Sequence, residues 1–77
     1  MTQLSLGNQQ IKFDALIEKG LDRQKAGDLV TAEKFFSSAL SLKPDSADAN
    51  HFLGLVYYSS GKVAEAEKLL SRAFEIF

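Results

Sequence analysis

Residues 47–77, ADANHFLGLVYYSSGKVAEAEKLLSRAFEIF, repeat the pattern of residues 13–43, FDALIEKGLDRQKAGDLVTAEKFFSSALSLK, at an offset of 34 positions. Ten of the 31 aligned pairs are identical, whereas about two identities are expected by chance at average composition. The identical pairs are Asp14/Asp48, Ala15/Ala49, Gly20/Gly54, Leu21/Leu55, Gly27/Gly61, Ala32/Ala66, Glu33/Glu67, Lys34/Lys68, Ser37/Ser71 and Ala39/Ala73. An internal period of roughly 20 to 50 residues is typical of repeat architectures, so the sequence predicts two copies of one structural unit.

The apolar residues of each unit recur every three or four positions, which is the spacing of one face of an α-helix. In the first unit the two series are Phe13, Leu16, Ile17, Gly20 and Leu21, then Leu29, Ala32, Phe36, Ala39 and Leu40. In the second unit they are Leu53, Gly54 and Tyr57, then Val63, Ala66, Leu70, Ala73 and Phe74. We therefore predict four helices, near residues 10–26, 29–42, 47–60 and 63–76.

Residues that end or begin helices stand between the predicted helices. Gly27 and Gly61 can adopt the left-handed conformation that closes a helix, and Pro44 cannot continue one. Side chains that can accept hydrogen bonds from the first amides of the next helix are those of Asp28, Asp45 and Ser46. Because the connections are short, the two helices of each unit should lie antiparallel. The predicted fold class is all-α, with two antiparallel helix-turn-helix hairpins stacked as an α-solenoid.

The composition argues against several classes of function. Hydrophobic residues make up 45% of the chain and charged residues 25%, which is the ordinary balance of a globular protein. Cysteine is absent, so neither disulfides nor thiolate metal sites are possible. The net charge of −1, with both signs interspersed, disfavours strong binding to nucleic acid or to an anionic membrane. No apolar stretch approaches the roughly 20 residues needed to span a bilayer. We expect a cytoplasmic protein with no nucleic-acid or membrane partner.

The residues that could support catalysis or metal binding are too few and too scattered to form a site. His51 is the one histidine, and a lone histidine is more often exposed or groove-facing than functional. The carboxylates are interleaved with basic residues at helical spacing, which is typical of a solvated helix face. Tyr57 is expected in the core and Tyr58 in a groove, rather than stacked on a nucleic-acid base. We predict no catalytic residue, no cofactor and no metal.

Small residues carry the most specific part of the pattern. Gly20 and Gly54 on the first helix of each unit let that helix approach the alanines of the second helix closely, and the bulky Phe36 and Leu70 fill the remaining space. In the second unit the constellation consists of Leu53, Gly54, Tyr57, Gly61, Ala66, Leu70 and Ala73. In the first unit it consists of Gly20, Gly27, Ala32, Phe36, Ala39 and Pro44. With the period of 34, this constellation resembles the tetratricopeptide repeat signature over residues 13–77.

Three residues depart from that signature. Lys19 stands where the family favours leucine, Arg23 where it favours tyrosine, and Asn50 where it favours a bulky aromatic residue. Polar residues on the first helix are compatible with a terminal repeat, because terminal units of solenoids are commonly atypical. Since the position of Asn50 favours bulk, we expect Asn50→Leu to be mild or stabilising, whereas leucine at Gly54 or Ala66 should overpack the core.

The resemblance implies a domain organisation and a mode of action. Residues 1–12 would form an amino-terminal extension in which the first helix can begin, residues 13–46 the first repeat and residues 47–77 the second, within a single domain. In such proteins the first helices line a concave groove that holds a peptide or a partner helix. The matching positions here are Ile17, Glu18, Leu21, Gln24, Lys25, His51, Phe52, Leu55, Tyr58 and Ser59.

The expected groove is mainly apolar, and contiguous exposed apolar surface usually marks a binding site. Two arrangements remain open: the groove is free to bind a partner, or it is covered by residues 1–12 or by a second copy of the chain. Family members that grip the acidic carboxyl terminus of chaperones present lysine, arginine and asparagine in the groove. Because Ile17, Leu21 and Phe52 occupy the corresponding places here, binding of chaperone tails is disfavoured.

The last helix is more apolar than one neighbouring hairpin can cover. We therefore expect either self-association, most simply as a twofold homodimer, or a fragment of a longer repeat array. The residues predicted to mediate self-association are Leu69, Phe74, Ile76 and Phe77. The favoured function is a non-catalytic protein–protein interaction module. The alternative is an amino-terminal, substrate-recruiting repeat region of a larger enzyme such as a glycosyltransferase or a methyltransferase.

Overall fold

A computed structural model describes the backbone from Thr2 to Ile76 and the side chains from Asn8 to Ile76. Within that part of the chain the backbone forms four helices and no strand: α1 (Thr2–Lys25), α2 (Leu29–Leu42), α3 (Ala47–Ser59) and α4 (Val63–Ile76). Helix α1 packs against α2, α2 against α3, and α3 against α4. This confirms the prediction of an all-α fold made of two helical hairpins.

The helix boundaries agree with the prediction except at the start of α1. That helix begins at Thr2, whereas the periodicity predicted a start near residue 10. The added turns contain no proline, and Gly7 lowers helix stability by only about 1 kcal/mol relative to alanine. Gln10 Nε2 donates to Asp14 Oδ1 at 2.9 Å, and Lys43 beyond the end of α2 donates to Gln10 Oε1. Residues 2–12 are therefore part of α1 rather than a separate extension.

The predicted helix punctuation is present at both hairpin turns and between the repeats. Gly27 has a φ of 80° and Gly61 a φ of 84°, the left-handed region that glycine enters without steric penalty. Asp28 Oδ1 accepts from the backbone amide of Thr31 at 3.2 Å at the start of α2. Ser46 Oγ caps α3 in the same way. Of the three candidate capping residues, Asp28 and Ser46 therefore fill the role.

The core forms around Phe36, which is fully buried in α2. It shares a cluster with Ala32 of the same helix and with Leu53 and Val56 of α3. A Cβ added at Gly20 of α1 would lie 2.7 and 2.8 Å from two atoms of the Phe36 ring. The glycine therefore lets α1 rest directly on the face of that ring.

The second hairpin repeats this arrangement. A Cβ added at Gly54 would lie 2.9 Å from both Cγ and Cδ2 of Leu70 and 3.4 Å from the carbonyl oxygen of Ala66. Ala66 is fully buried, and Ala73, one helical turn beyond Leu70, is also buried. The requirement for small residues that was predicted at Gly54 and Ala66 thus follows from close helix contact.

Asn50 is fully buried at the start of α3, beside the loop that joins the two repeats. Its Nδ2 donates to the carbonyl oxygens of Pro44, at 3.2 Å, and Ser46, at 2.8 Å. Arg72 of α4 also donates to the Pro44 carbonyl, at 3.3 Å. Oδ1 of Asn50 is buried and accepts no hydrogen bond from the described part of the chain. The repeat signature favours an aromatic residue at this position. The amide of Asn50 instead forms hydrogen bonds that hold the loop between the two repeats.

Candidate functional site

The groove residues predicted on α1 and α3 flank the same core cluster. Ile17 and Leu21 of α1 and Phe52 of α3 all pack, half-buried, against the cluster around Phe36. The rings of Phe36 and Phe52 stack with their centroids 5.5 Å apart. Part of the apolar surface of these three side chains is therefore buried against the core, and less of it is exposed for binding than the sequence pattern suggested.

Most of the remaining predicted groove residues are exposed. Tyr58 is 62% exposed, and Leu55, one helical turn earlier on α3, is half-buried. Gln24 on α1 is half-buried as well. Exposed polar side chains complete the set, namely those of Glu18, Lys25, His51 and Ser59. The arrangement offers apolar contact at Tyr58 and Leu55, with hydrogen-bonding groups of both charge signs nearby.

Tyr57 and Tyr58 of α3 differ in burial. Tyr57 is half-buried and packs against the central cluster, with the Lys62 ammonium 5.4 Å from its ring centroid. Tyr58 points outward. His51 is exposed and meets the ring of Phe52 edge-on, at 5.7 Å between centroids. Tyr57 and His51 therefore have contacts that account for their positions, whereas Tyr58 is left exposed.

Helix α4 presents only part of its apolar surface outward. Phe74 is 82% exposed and Ile76 is 39% exposed. Leu69 is half-buried and packs against the central cluster, so less of its side chain is available to the predicted self-association surface. Its position follows from helical geometry, because Leu69 lies one turn from Ala66 and Ala73 on the core side. Phe77 lies outside the described residues.

An open cleft of about 420 Å³ lies between α3 and α4, and we call it the end cleft. Its lining residues are Ala47, Asp48, His51, Leu70, Ala73 and Phe74. The sequence pattern pointed to Phe74 on α4, and it assigned His51 of α3 to the concave groove rather than to this cleft; Ala47 and Asp48 were not predicted. The repeat alignment contained the signal, because Ala47 is aligned with the much larger Phe13.

A second open cleft, of about 350 Å³, lies between α1 and α2, and we call it the amino-terminal cleft. It is lined by Lys12, Ala15, Leu16, Lys19, Ser38 and Leu42. The Lys19 ammonium is 5.9 Å from the centroid of the Phe35 ring, so this residue also has a structural contact. Sequence reasoning did not predict this cleft, since it treated Lys19 only as a departure from the repeat pattern.

In the described part of the chain, charged side chains act at helix caps and in ion pairs at the surface. Hydrogen bonds from the side chain and backbone of Thr31 lower the pKa of the Asp28 carboxyl, and the positive charges of Arg23 and Lys34 act in the same direction. Among the described residues, histidine and carboxylate side chains nowhere gather in a group able to hold a metal ion. No helix in the described chain is long and apolar enough to cross a membrane.

Comparison with known families settles what the stacked hairpins are. A tetratricopeptide repeat model matches residues 24–77, which is well over half of the chain. The chain belongs to the tetratricopeptide repeat family. Repeats of this family generally mediate protein–protein interaction, and the family typically serves as a non-catalytic interaction module. The match begins near the end of α1, the helix that carries the departures Lys19 and Arg23. No curated protein matches the chain.

Proposed function

We propose that this chain is a non-catalytic module that holds a peptide or a partner helix along the concave side formed by α1 and α3. The observation that carries the proposal is the exposure of Tyr58, at 62%, beside the half-buried Leu55. A tyrosine supplies a large apolar area with a polar tip and loses little conformational freedom on binding, so tyrosines are frequent where most of the binding energy is concentrated. The exposed Glu18 and Lys25 on α1 would orient a bound segment.

A peptide library displayed on phage tests this proposal, because it samples partner segments of many sequences at once. Peptides selected on the purified chain are expected to lose about 10-fold or more in affinity when Tyr58 is replaced by alanine. Val30→Ser is a matched control, because Val30 on α2 is 70% exposed and lies outside the predicted groove. If the selected peptides bind Tyr58→Ala as tightly as the unaltered chain, the concave side is not their site.

A second proposal concerns self-association through the outer side of α4. It is supported by Phe74, whose ring is 82% exposed at the rim of the end cleft, and by Ile76 beside the end of the helix. At about 25 cal/mol per Å² of apolar area, covering this surface on two chains gains several kcal/mol, which is comparable with the cost of association. The simplest arrangement is a twofold dimer in which each α4 covers the other, and exchange of whole helices between chains would serve equally.

Light scattering coupled to gel filtration, over about a 100-fold range of concentration, tests self-association. The mass is expected to rise with concentration, and Phe74→Glu is expected to abolish the rise. A mass that stays monomeric throughout would show that the exposed ring is tolerated by the single chain.

The alternative function, recruitment of substrate to a larger enzyme, depends on polypeptide outside residues 1–77. The gene sequence downstream of the codon for Phe77 decides it, because a catalytic domain there would favour that alternative.

A further inference from the structure

The end cleft is the counterpart, in the second repeat, of the surface that α3 covers in the first. At the repeat offset, its residues Ala47, His51, Leu70, Ala73 and Phe74 correspond to Phe13, Ile17, Phe36, Ala39 and Leu40. Those five residues all belong to, or pack against, the two buried clusters that α3 completes with Ala49, Leu53 and Val56. The first repeat therefore shows how this type of surface is filled. One helix covers it with apolar residues at position i (Ala49), i+3 (Phe52), i+4 (Leu53) and i+7 (Val56).

A charge contact accompanies the packing in the first repeat. Lys62, just beyond the carboxyl end of α3, lies with its Nζ 3.8 Å from Glu33 Oε1 of α2. The residue aligned with Glu33 in the second repeat is Glu67, which is exposed on α4. A helix that fills the end cleft in the same orientation would therefore bring its carboxyl-terminal end close to an exposed carboxylate, which favours a positive charge there.

The two surfaces differ in size at one position. In the first repeat the Phe13 ring is 7% exposed and forms a buried cluster with Ala39 and Ala49, so α3 has room only for a methyl group there. In the second repeat Ala47 takes the place of that ring and Leu70 the place of Phe36, so smaller side chains line the corresponding part of the end cleft, whose volume is about 420 Å³. The end cleft therefore suits a helix with a larger apolar residue where α3 has Ala49.

We propose that the end cleft binds an amphipathic helix of a partner polypeptide whose buried face follows that of α3. The partner carries a large apolar residue in place of Ala49 and a lysine or arginine beyond its carboxyl end, opposite Glu67. This inference rests on the proposal that the outer side of α4 is an interaction surface, and it names the chemistry of the occupant.

Helix α1 of a second copy does not meet these requirements. Glu18, Lys19 and Asp22 of α1 stand where α3 has Phe52, Leu53 and Val56. Leu53 and Val56 are almost completely buried in their own contact, at 3% and 0% exposure. Charged side chains at those positions would lose their hydration on docking without gaining partners, so head-to-tail stacking of copies is disfavoured.

The chain's own α3 supplies the probe. A fluorescent peptide of residues 44–62 and its Ala49→Leu variant would be titrated with the complete chain, and binding followed by fluorescence anisotropy. A side-chain bridge between peptide positions 51 and 55, neither of which belongs to the clusters that α3 forms with the first repeat, keeps both peptides helical. The variant is expected to bind about 10-fold more tightly than the parent peptide, because its extra carbon atoms fill the space that Ala47 leaves. A bridged peptide of residues 10–28, taken from α1, is the matched control and should not bind.

Variants of the chain identify the site. Phe74→Ser is expected to weaken binding of the leucine-containing peptide by about 10-fold or more, and Val30→Ser to leave it unchanged. Glu67→Lys should weaken binding about 3-fold, and a peptide with Lys62→Glu should recover that loss. Recovery by charge exchange would fix the orientation of the bound helix.

Three outcomes would overturn the inference. The first is equal affinity of the parent and leucine peptides, and the second is binding that Phe74→Ser does not alter. The third is failure of both peptides to bind or to compete while the mass of the chain still rises with concentration and Phe74→Glu prevents the rise. That last result would assign the cleft to a second copy of the chain and leave the self-association proposal standing, whereas a monomeric chain that binds no peptide would remove both.

Discussion

Replacing Gly20 with alanine tests the close approach of α1 to α2. The added methyl group would sit 2.7 to 2.8 Å from Cδ1 and Cζ of Phe36, well inside van der Waals contact. Phe36 is fully buried and stacked on Phe52, so its ring cannot move without displacing a second ring. Alanine gains about 1 kcal/mol of helix propensity over glycine, but overpacking of a tight core costs about 1–3 kcal/mol. Because the methyl group would press on a ring that is held in place, we take the upper part of that range, about 2–3 kcal/mol, and expect a net loss of about 1–2 kcal/mol, which is a large part of the stability of so small a domain.

Urea denaturation followed by circular dichroism measures the effect, and the midpoint should fall by roughly 1 M. Gly54→Ala should cost less, since it meets the flexible side chain of the half-buried Leu70. Ser71→Ala, at an exposed position of α4, is the control for helix propensity and should be neutral or slightly stabilising. Combining Gly20→Ala with Phe36→Leu should recover about 1 kcal/mol relative to the sum of the single changes. A Gly20→Ala chain as stable as the unaltered one would refute the packing argument.

The remaining predictions concern the caps and the buried asparagine. Ser46→Ala should lower the free energy of unfolding by about 1 kcal/mol in urea melts, because the first turn of α3 loses its side-chain acceptor. The pKa of the Asp28 carboxyl is lowered in the folded chain, so its contribution to the free energy of unfolding is complete above the ordinary aspartate range and is lost as pH falls through the lowered pKa. Asp28→Asn should therefore flatten the acid limb of a profile of stability against pH, and an unchanged limb would contradict this. Asn50→Asp should lower the free energy of unfolding by more than about 2 kcal/mol at neutral pH, because it places a carboxylate against two carbonyl oxygens. Asn50→Leu should have a mild effect, because removal of the buried, unpaired Oδ1 offsets the two lost hydrogen bonds. Urea melts that rank the two variants in the reverse order would refute the assigned amide contacts.

The sequence predicted the fold closely because its strongest signals are local. Gly27 and Gly61 mark turns through a conformation that only glycine adopts readily, and apolar spacing fixes which face of each helix is buried. The start of α1 was the exception, since residues 2–12 carry little apolar periodicity and become helical by continuation of an existing helix. Elongation adds one hydrogen bond for each residue ordered, and a weak pattern is then sufficient.

The candidate surfaces were less predictable because they depend on how far a side chain is covered by its neighbours. Leu69 and Phe74 are both apolar residues of one helix, yet Leu69 packs, half-buried, against the core and Phe74 is exposed. The difference between Phe13 and Ala47 at equivalent positions of the two repeats likewise has a structural meaning only once it is known that α3 covers Phe13 and that Ala47 lines the open end cleft. Asn50 likewise gains its role from two carbonyl groups in the loop before it.

Both self-association and capture of a partner helix require that the exposed apolar surface at the outer end of the second repeat binds polypeptide. Backbone amide chemical shifts, recorded by NMR over about a 100-fold range of concentration and again with the leucine-containing α3 peptide, test it most directly. The account predicts shifts concentrated at Ala47, Leu70 and Phe74 in both series, with Val30 unaffected and with both sets of shifts lost in Phe74→Ser. A spectrum that responds neither to concentration nor to the peptide would contradict it.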